Sequence, residues 1–137
     1  MFSHVFVNVS DFERAFAFYK SLMEVLGNEL RFTELSKPWA GWHSDGQSRP
    51  FFVICKPHNG QAHHPGNGQM VAFLAASRGQ VRAAHAAGLA HGGTCEGPPG
   101  LRPQYHADYY GAYLRDPEGN KIGIACHLAE LQPHGDA

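Results

Sequence analysis

One pattern of secondary structure occurs twice along this chain, and it restricts the fold more than any other feature of the sequence. A strand with apolar residues at every second position leads into Ser10, where a helix-start signal and an apolar helical face follow, and the same order returns at Ser77. Short strands come after each helix. Because an open sheet with one uncovered face can bury that face against a copy of itself, the repeat predicts an α+β fold of two paired βαβββ modules.

The predicted elements form one domain, residues 1–137, with module one at about 1–58 and module two at about 69–130. The stretch between them, at about 57–68, is rich in Gly, Pro, Asn and His and is expected to be a linker. In chain order we predict strand His4–Val9, a helix from Phe12 to Gly27, strands Leu30–Leu35, Trp39–His43 and Phe51–Cys55, strand Met70–Ala75, a helix from Ser77 to Gly92, a weak strand at Thr94–Glu96, and a hairpin of Tyr109–Arg115 and Lys121–His127.

The charge and hydropathy of the chain exclude several classes of partner. Its 11 Lys and Arg residues nearly balance 12 Asp and Glu residues, for a net charge of -1, so we expect no surface for nucleic acid or for an anionic membrane. The N-terminus lacks a basic segment followed by an apolar one, and no apolar run has the length of a membrane span. We therefore expect a cytoplasmic protein whose partner is a small molecule.

Two curved sheets that face each other leave a cleft, which is a common place for a ligand site. The aromatic side chains of Trp42 and Phe51 are candidates for stacking on a ligand there, although such residues also fill cores. His106 and Tyr109 are candidate catalytic residues, since an imidazole and a phenol can exchange protons or hydrogen-bond a polar substrate. The alternative role for this pair is structural, with the tyrosine bracing a turn.

The two ends of the chain resemble a known superfamily. The segments SHVFVNVSDFERAFAFY and YYGAYLRDPEGNKIGIACH are similar to the ends of a glyoxalase, bleomycin-resistance or extradiol dioxygenase domain, the vicinal oxygen chelate superfamily. The middle segment GNGQMVAFLAASRGQVRAAHAAGLAHGG resembles the start of that superfamily's second module, so the resemblance covers nearly the whole chain. It implies a curved eight-stranded open barrel or cup with two helices outside, and a homodimer.

The resemblance also implies positions for a divalent metal, and the residues at those positions are unusual. In metal-binding members a ligand comes from the first strand of each module and a Glu from the last strand; the matching positions here are His4, Met70 and Gly123. Only His4 is an ordinary ligand, because a thioether suits soft ions and glycine has no side chain. We therefore expect no cofactor, and the alternative is Zn, Ni, Mn or Fe held by His4 and loop histidines such as His63.

Two functions remain open at this point. In the first, the chain is a binding protein that holds a small aromatic or uncharged molecule against Met70, Gly123, Trp42 and Phe51, and its metal site is degenerate. In the second, it is an active glyoxalase-I-like lyase or dioxygenase whose divalent metal is completed by loop histidines, and His4 joins the candidate catalytic pair. The first is favoured because a methionine and a glycine make the floor of the cavity less polar.

Overall fold

The computed structural model describes residues 1–130 and contains the βαβββ order twice. Module one consists of β1 (His4–Asn8), α1 (Phe12–Leu26), β2 (Asn28–Glu34), β3 (Trp39–Ser44) and β4 (Phe51–Cys55). Module two consists of β5 (Val71–Leu74), α2 (Arg78–Ala90), β6 (Thr94–Leu101), β7 (Tyr110–Arg115) and β8 (Lys121–Cys126). Neither helix of the described residues is long and apolar enough to cross a membrane.

The two sheets have the same topology. Their strand orders are β1-β4-β3-β2 and β5-β8-β7-β6. The pairs β1–β4 and β5–β8 are parallel, and the other neighbouring strands are antiparallel. The eight strands do not close into a barrel. The predicted α+β fold of two βαβββ modules is therefore confirmed.

A single apolar core joins both modules. Alternate residues of the strands, such as Val7 in β1 and Ile122 in β8, point to the same cluster as the buried faces of the two helices. Gly88 of α2 lies so close to Phe18 of α1 that an added Cβ would be 3.2 Å from the ring, so this glycine allows the helices to approach. Each large apolar side chain that is fully buried in this core contributes about 1.5–3 kcal/mol to the free energy of unfolding. The opposite faces of the sheets, which we call the inner faces, carry His4, Phe6 and Asn8 of β1.

The helix ends follow the predicted signals except at two places: the start of α1, and the end of α2, which stops at Ala90 with His91 as its C-cap instead of running to Gly92. Gly27 ends α1 in the left-handed conformation, at φ 76°, and Ser77 accepts the backbone N–H of Gln80 at the start of α2. The N-cap of α1, however, is Asp11, which accepts the N–H of Arg14. The prediction of Ser10 as the cap was wrong because its hydroxyl accepts the backbone N–H of His63 in the linker, a contact distant in sequence.

Several strand boundaries also differ from the predictions, most by one or two residues and the end of β6 by more. β6 extends through Leu101 although it contains two prolines, which cannot donate a backbone hydrogen bond. This is possible because β6 is an edge strand and its pairing with β7 is interrupted by register shifts between Cys95 and Gly97 and between Gly97 and Gly100. β5 begins at Val71, so Met70 lies just before the strand instead of inside it.

The turn between β7 and β8 fastens module two to module one. Asp116, which is 3% exposed, accepts the backbone N–H groups of Glu118 and Asn120, the amide of Asn120 and, at 2.6 Å, the hydroxyl of Tyr19 in α1. Burial raises the pKa of Tyr19, and the adjacent Asp116 carboxylate raises it further. The amide of Asn120 also donates to the backbone of Asn8 at the end of β1.

Candidate functional site

Two cavities lie where the sheets meet. Within residues 1–130, β1 pairs only with β4 and β5 pairs only with β8, so no ladder joins the two edge strands. Both cavities are lined by residues of this junction, and Val5, Met70 and Val71 line both of them. Because paired strands lie only about 4.8 Å apart, a junction without a ladder leaves room for a ligand. We call this junction the seam.

The larger cavity, the seam cleft, is apolar and has a volume of 490 Å³. Aromatic residues of module one form one wall, strand β5 of module two forms the other, and the rings of Phe52 and Phe73 meet edge to face at 4.8 Å. Its lining includes no Asp, Glu, Lys or Arg among the described residues. Its volume falls within the range of about 300–1,000 Å³ that holds most small ligands.

Three of the four residues predicted to bind a ligand line this cleft. Trp42, only 2% exposed, forms its inner end, while Phe51 and Met70 lie nearer the opening and Met70 is 43% exposed. Gly123 lies elsewhere on the inner face of module two, where an added Cβ would be 3.3 Å from both Ala72 and the ring of Tyr113.

The smaller cavity, which we call the polar chamber, has a volume of 290 Å³ and continues the seam on the other side of Met70. Polar side chains of the linker and of β8 line it, including His64, Gln69 and Lys121. His63 also lines it, and its Nε2 is 2.8 Å from Oδ1 of Asn120. Since that amide oxygen only accepts, the Nε2 atom of His63 carries the proton.

The predicted pair of His106 and Tyr109 belongs to a larger polar cluster at the open end of module two. Nε2 of His106 is 2.9 Å from Nδ1 of His127, and the ring of Tyr109 lies edge-on against both imidazoles. The backbone N–H of Asp108 donates to Nδ1 of His106. Neutral His106 therefore carries its proton on Nε2 and donates it to His127, whose own proton is on the outer nitrogen.

The hydroxyl of Tyr109 extends this cluster toward the centre of the inner face. It lies 3.0 Å from the hydroxyl of Tyr113, whose ring lies between the guanidinium of Arg102 at 5.5 Å and the ammonium of Lys121 at 5.6 Å. Burial and the hydrogen bond with Tyr109 raise the pKa of Tyr113, although the two cations act to lower it. The Tyr113 hydroxyl thus remains a neutral donor near neutral pH.

Comparison with known proteins identifies the family. The sequence profile of the Glyoxalase/Bleomycin resistance protein/Dioxygenase superfamily matches residues 1–124. The chain belongs to this superfamily. It is 42% identical to a glyoxalase/bleomycin resistance protein from Albidiferax ferrireducens, with a TM-score of 0.81 over 92% of this chain and 98% of that one.

More distant members of the superfamily share the fold. A glyoxalase-related enzyme from Fulvimarina pelagi is 20% identical, with a TM-score of 0.68 over 92% of this chain and 87% of that one. A family enzyme from Burkholderia phytofirmans is also 20% identical, with a TM-score of 0.65 over 92% of this chain and 98% of that one. No protein in the curated set matches.

The residues at the three matched positions do not form the usual ligand set of a divalent metal. Of the three matched positions, His4 is engaged with Ser3 through Nδ1 at 2.9 Å, Met70 offers a thioether, and Gly123 has no side chain and lies beneath Tyr113. Across residues 1–130, no three His, Cys, Asp or Glu side chains are grouped closely enough to hold an ion. The donor set therefore lacks the ligands that a catalytic divalent metal requires.

Sequence reasoning did not select His127, Tyr113 or Lys121 as site residues. A signal for two of them existed, because Lys121 and His127 share the alternation of Gly123 and so lie on the same face of the last strand. Nothing local marks Tyr113, since its position between two cations depends on side chains from other strands.

Proposed function

We propose that this protein binds a small aromatic or otherwise apolar molecule in the seam cleft, as a sequestering or carrier protein of its superfamily. The observation that carries the proposal is the 490 Å³ cleft itself, which combines aromatic walls with a lining free of formal charge among the described residues. Burying an apolar guest there costs no desolvation of charged groups. Bleomycin resistance is one of the activities for which the superfamily is named.

The metal site is, in this proposal, degenerate at His4, Met70 and Gly123. Of the loop histidines that could complete a divalent ion, His63 is bonded to Asn120 and His106 to His127 through Nε2, so a metal contact at that nitrogen would have to replace the present hydrogen bond. Elemental analysis of untagged protein tests this point. Stoichiometric Zn, Ni, Mn or Fe that is lost in a His4→Ala variant would support the alternative of a metal-dependent lyase or dioxygenase.

Titration with phenylnaphthylamine, a neutral dye that fluoresces in apolar sites, tests the cleft. We expect saturable binding to the native protein and about tenfold weaker binding to Met70→Glu, because a carboxylate at the junction must be desolvated when the dye enters. Leu35→Glu is the matched control, since Leu35 is 74% exposed and lines neither cavity. Equal affinities in both variants, or no binding at all, would contradict the proposal.

A catalytic role for His4, His106 and Tyr109 remains a prediction. Two hydrogen-bonded pairs, His106 with His127 and Tyr109 with Tyr113, lie together because the Tyr109 ring packs against both imidazoles, and they support acid–base work on a polar substrate group. Nitrogen-15 NMR of the imidazoles tests its premise: His106 should show its proton on Nε2, and in His127→Ala that proton should stay on Nε2, because the Asp108 N–H still donates to Nδ1, while the Nε2 signal shifts with the loss of its acceptor.

We also propose that the protein acts as a cytoplasmic homodimer. Large apolar side chains are exposed on the described surface, including Phe6 at 54% beside the polar chamber and Leu74 at 73% beside the seam cleft, and exposed apolar side chains are commonly covered in assemblies. Light scattering during gel filtration should give twice the chain mass, and Phe6→Ser combined with Leu74→Ser should shift the protein toward monomer.

A further inference from the structure

The two cavities of the seam adjoin each other and have two different chemistries. Val5, Met70 and Val71 line both the seam cleft and the polar chamber, so a ligand that passes Met70 contacts both. The cleft is aromatic and apolar. The chamber, in contrast, is lined by amide, imidazole and ammonium groups.

The charge of the chamber has one sign. Lys121 is its charged lining residue, and no Asp or Glu from the described part of the chain lines it. The Lys121 ammonium lies 5.6 Å from the centre of the Tyr113 ring and forms no ion pair with a residue in the range 1–130. A cation held beside a cavity without a carboxylate attracts an anionic group from the ligand.

Two further polar side chains of the chamber, His64 and Gln69, are available to hydrogen-bond a ligand. His64 and Gln69 make no side-chain hydrogen bond with another described residue, whereas His63 and Asn120 are bonded to each other. The amide of Gln69 lies against Gly66, whose φ of +80° and lack of a Cβ allow this close approach. The linker conformation thus holds a free amide at the wall of the chamber.

We propose that the ligand is an amphipathic acid, with an aromatic or alkyl body in the seam cleft and a single anionic head group, such as a carboxylate, against Lys121 in the polar chamber. Gln69 and His64 supply further hydrogen bonds to the head group. This proposal rests on the proposed function of the cleft. It replaces the uncharged guest expected from the sequence with a guest that carries its charge at one end.

A competing place for an acid group lies at the opposite mouth of the cleft. Phe51 and His43 line both the cleft and a shallow groove that contains Arg31 and Arg49. The guanidinium of Arg49 lies 4.4 Å from the centre of the Phe51 ring and donates to the backbone of Ser48. Glu29 lines the same groove and offsets part of its positive charge. An anion in the groove would meet the Glu29 carboxylate, whereas no carboxylate of the described residues lines the chamber, and on this ground we place the head group in the chamber.

Two matched dyes test the proposal on the full chain. Phenylnaphthylamine is neutral, and anilinonaphthalene sulfonate has nearly the same rings with one fixed negative charge. For Lys121→Met we expect the dissociation constant of the sulfonate to rise about tenfold and that of the neutral dye to stay unchanged. Lys121→Arg should keep the native affinity for both dyes. Raising the salt concentration should weaken sulfonate binding only.

Lys56→Met and Arg49→Met are the control variants. Lys56 is exposed and lines none of the cavities, so its loss should affect neither dye. Sulfonate binding that is insensitive to Lys121, or that weakens in Arg49→Met instead, would overturn the anionic site while leaving the cleft intact. Failure of the neutral dye to bind the native protein would instead refute the proposed function.

Discussion

The middle rows of the two inner faces are equivalent in strand register and opposite in chemistry. In module one, the row across the sheet is Phe32, Gly41, Val53 and Phe6. In module two, the equivalent row is Gly97, Tyr113, Gly123 and Ala72. The first row is apolar from edge to edge, whereas the second has a phenol at its centre.

In both rows an aromatic ring lies over a glycine. A Cβ at Gly41 would be 2.5 Å from the Phe32 ring, and a Cβ at Gly123 would be 3.3 Å from the Tyr113 ring. The strand that provides the glycine differs, however, so the tyrosine of module two lies one strand nearer the seam and its hydroxyl reaches Tyr109. The position of the glycine thus decides which strand a flat ring lies over, and the choice of the ring residue decides whether that place is apolar or polar.

The turns that close the last hairpin of each module should differ most between the modules in what a substitution costs the free energy of unfolding. Asp116→Ala in module two removes the acceptor of four hydrogen bonds and leaves buried donors unpaired, so we expect a loss of about 3 kcal/mol in the free energy of unfolding. The measurement is urea denaturation followed by circular dichroism. Asp45→Ala in module one is the control; Asp45 is exposed and makes no hydrogen bond within residues 1–130, so less than about 0.5 kcal/mol is expected. Similar losses in both variants would show that the turns are equivalent after all.

The two glycines that lie under aromatic rings, Gly41 and Gly123, should show a second, smaller difference in the stability cost of an alanine substitution. Gly41→Ala should cost about 1–2 kcal/mol, because the Phe32 ring packs on Trp39 and Phe51 and cannot move aside freely. Gly123→Ala should be near neutral, since its 3.3 Å contacts need only a small shift and alanine lowers the entropy of the unfolded chain. Thermal denaturation of both variants measures the two values. If Gly123→Ala were the more damaging, the ring of Tyr113 would be held more tightly than that of Phe32.

Local sequence patterns were sufficient to predict the architecture, because alternation and helix-start signals report on each element alone. The alternation of Val5, Val7 and Val9 places Val7 and Val9 in the core, with Val5 lining the seam on the same face, and Gly27 ends its helix as expected. The same signals cannot say which residues from distant elements meet. Ser10 illustrates this limit, since a linker N–H occupies the hydroxyl that local pattern assigns to the helix.

The candidate site was predictable only in part for the same reason. Trp42 and Met70 line the cleft, but Trp42 is buried on the core side of β3 and not on the inner face. Alternation assigns a side chain to a face and does not reveal a gap between two sheets. His127 meets His106 through the return of the last hairpin, which no spacing rule encodes.

The smallest expected difference between the modules is the contribution of Glu118 to the free energy of unfolding, and this contribution depends on pH. Burial acts to raise its pKa, but hydrogen bonds from the backbone N–H groups of Asp11 and Ser10, together with Arg14, lower the pKa below the usual value. A lowered folded-state pKa means that the carboxylate stabilises the fold above the unfolded pKa of about 4.3 and loses that effect as the pH falls through the folded value. Glu118→Gln should therefore cost about 1 kcal/mol at pH 7, and its deficit relative to the native protein should close below about pH 4.

The matched variant for this effect is Asp45→Asn in the exposed turn of module one, whose unfolding free energy should differ little from the native value at either pH. Denaturation curves at several pH values separate the two outcomes. If the loss of unfolding free energy in Glu118→Gln stayed constant as the pH falls, the charge of the Glu118 carboxylate would not contribute to holding the modules together. A deficit that closes shows that its charge, placed at the start of α1, holds the second module to the first.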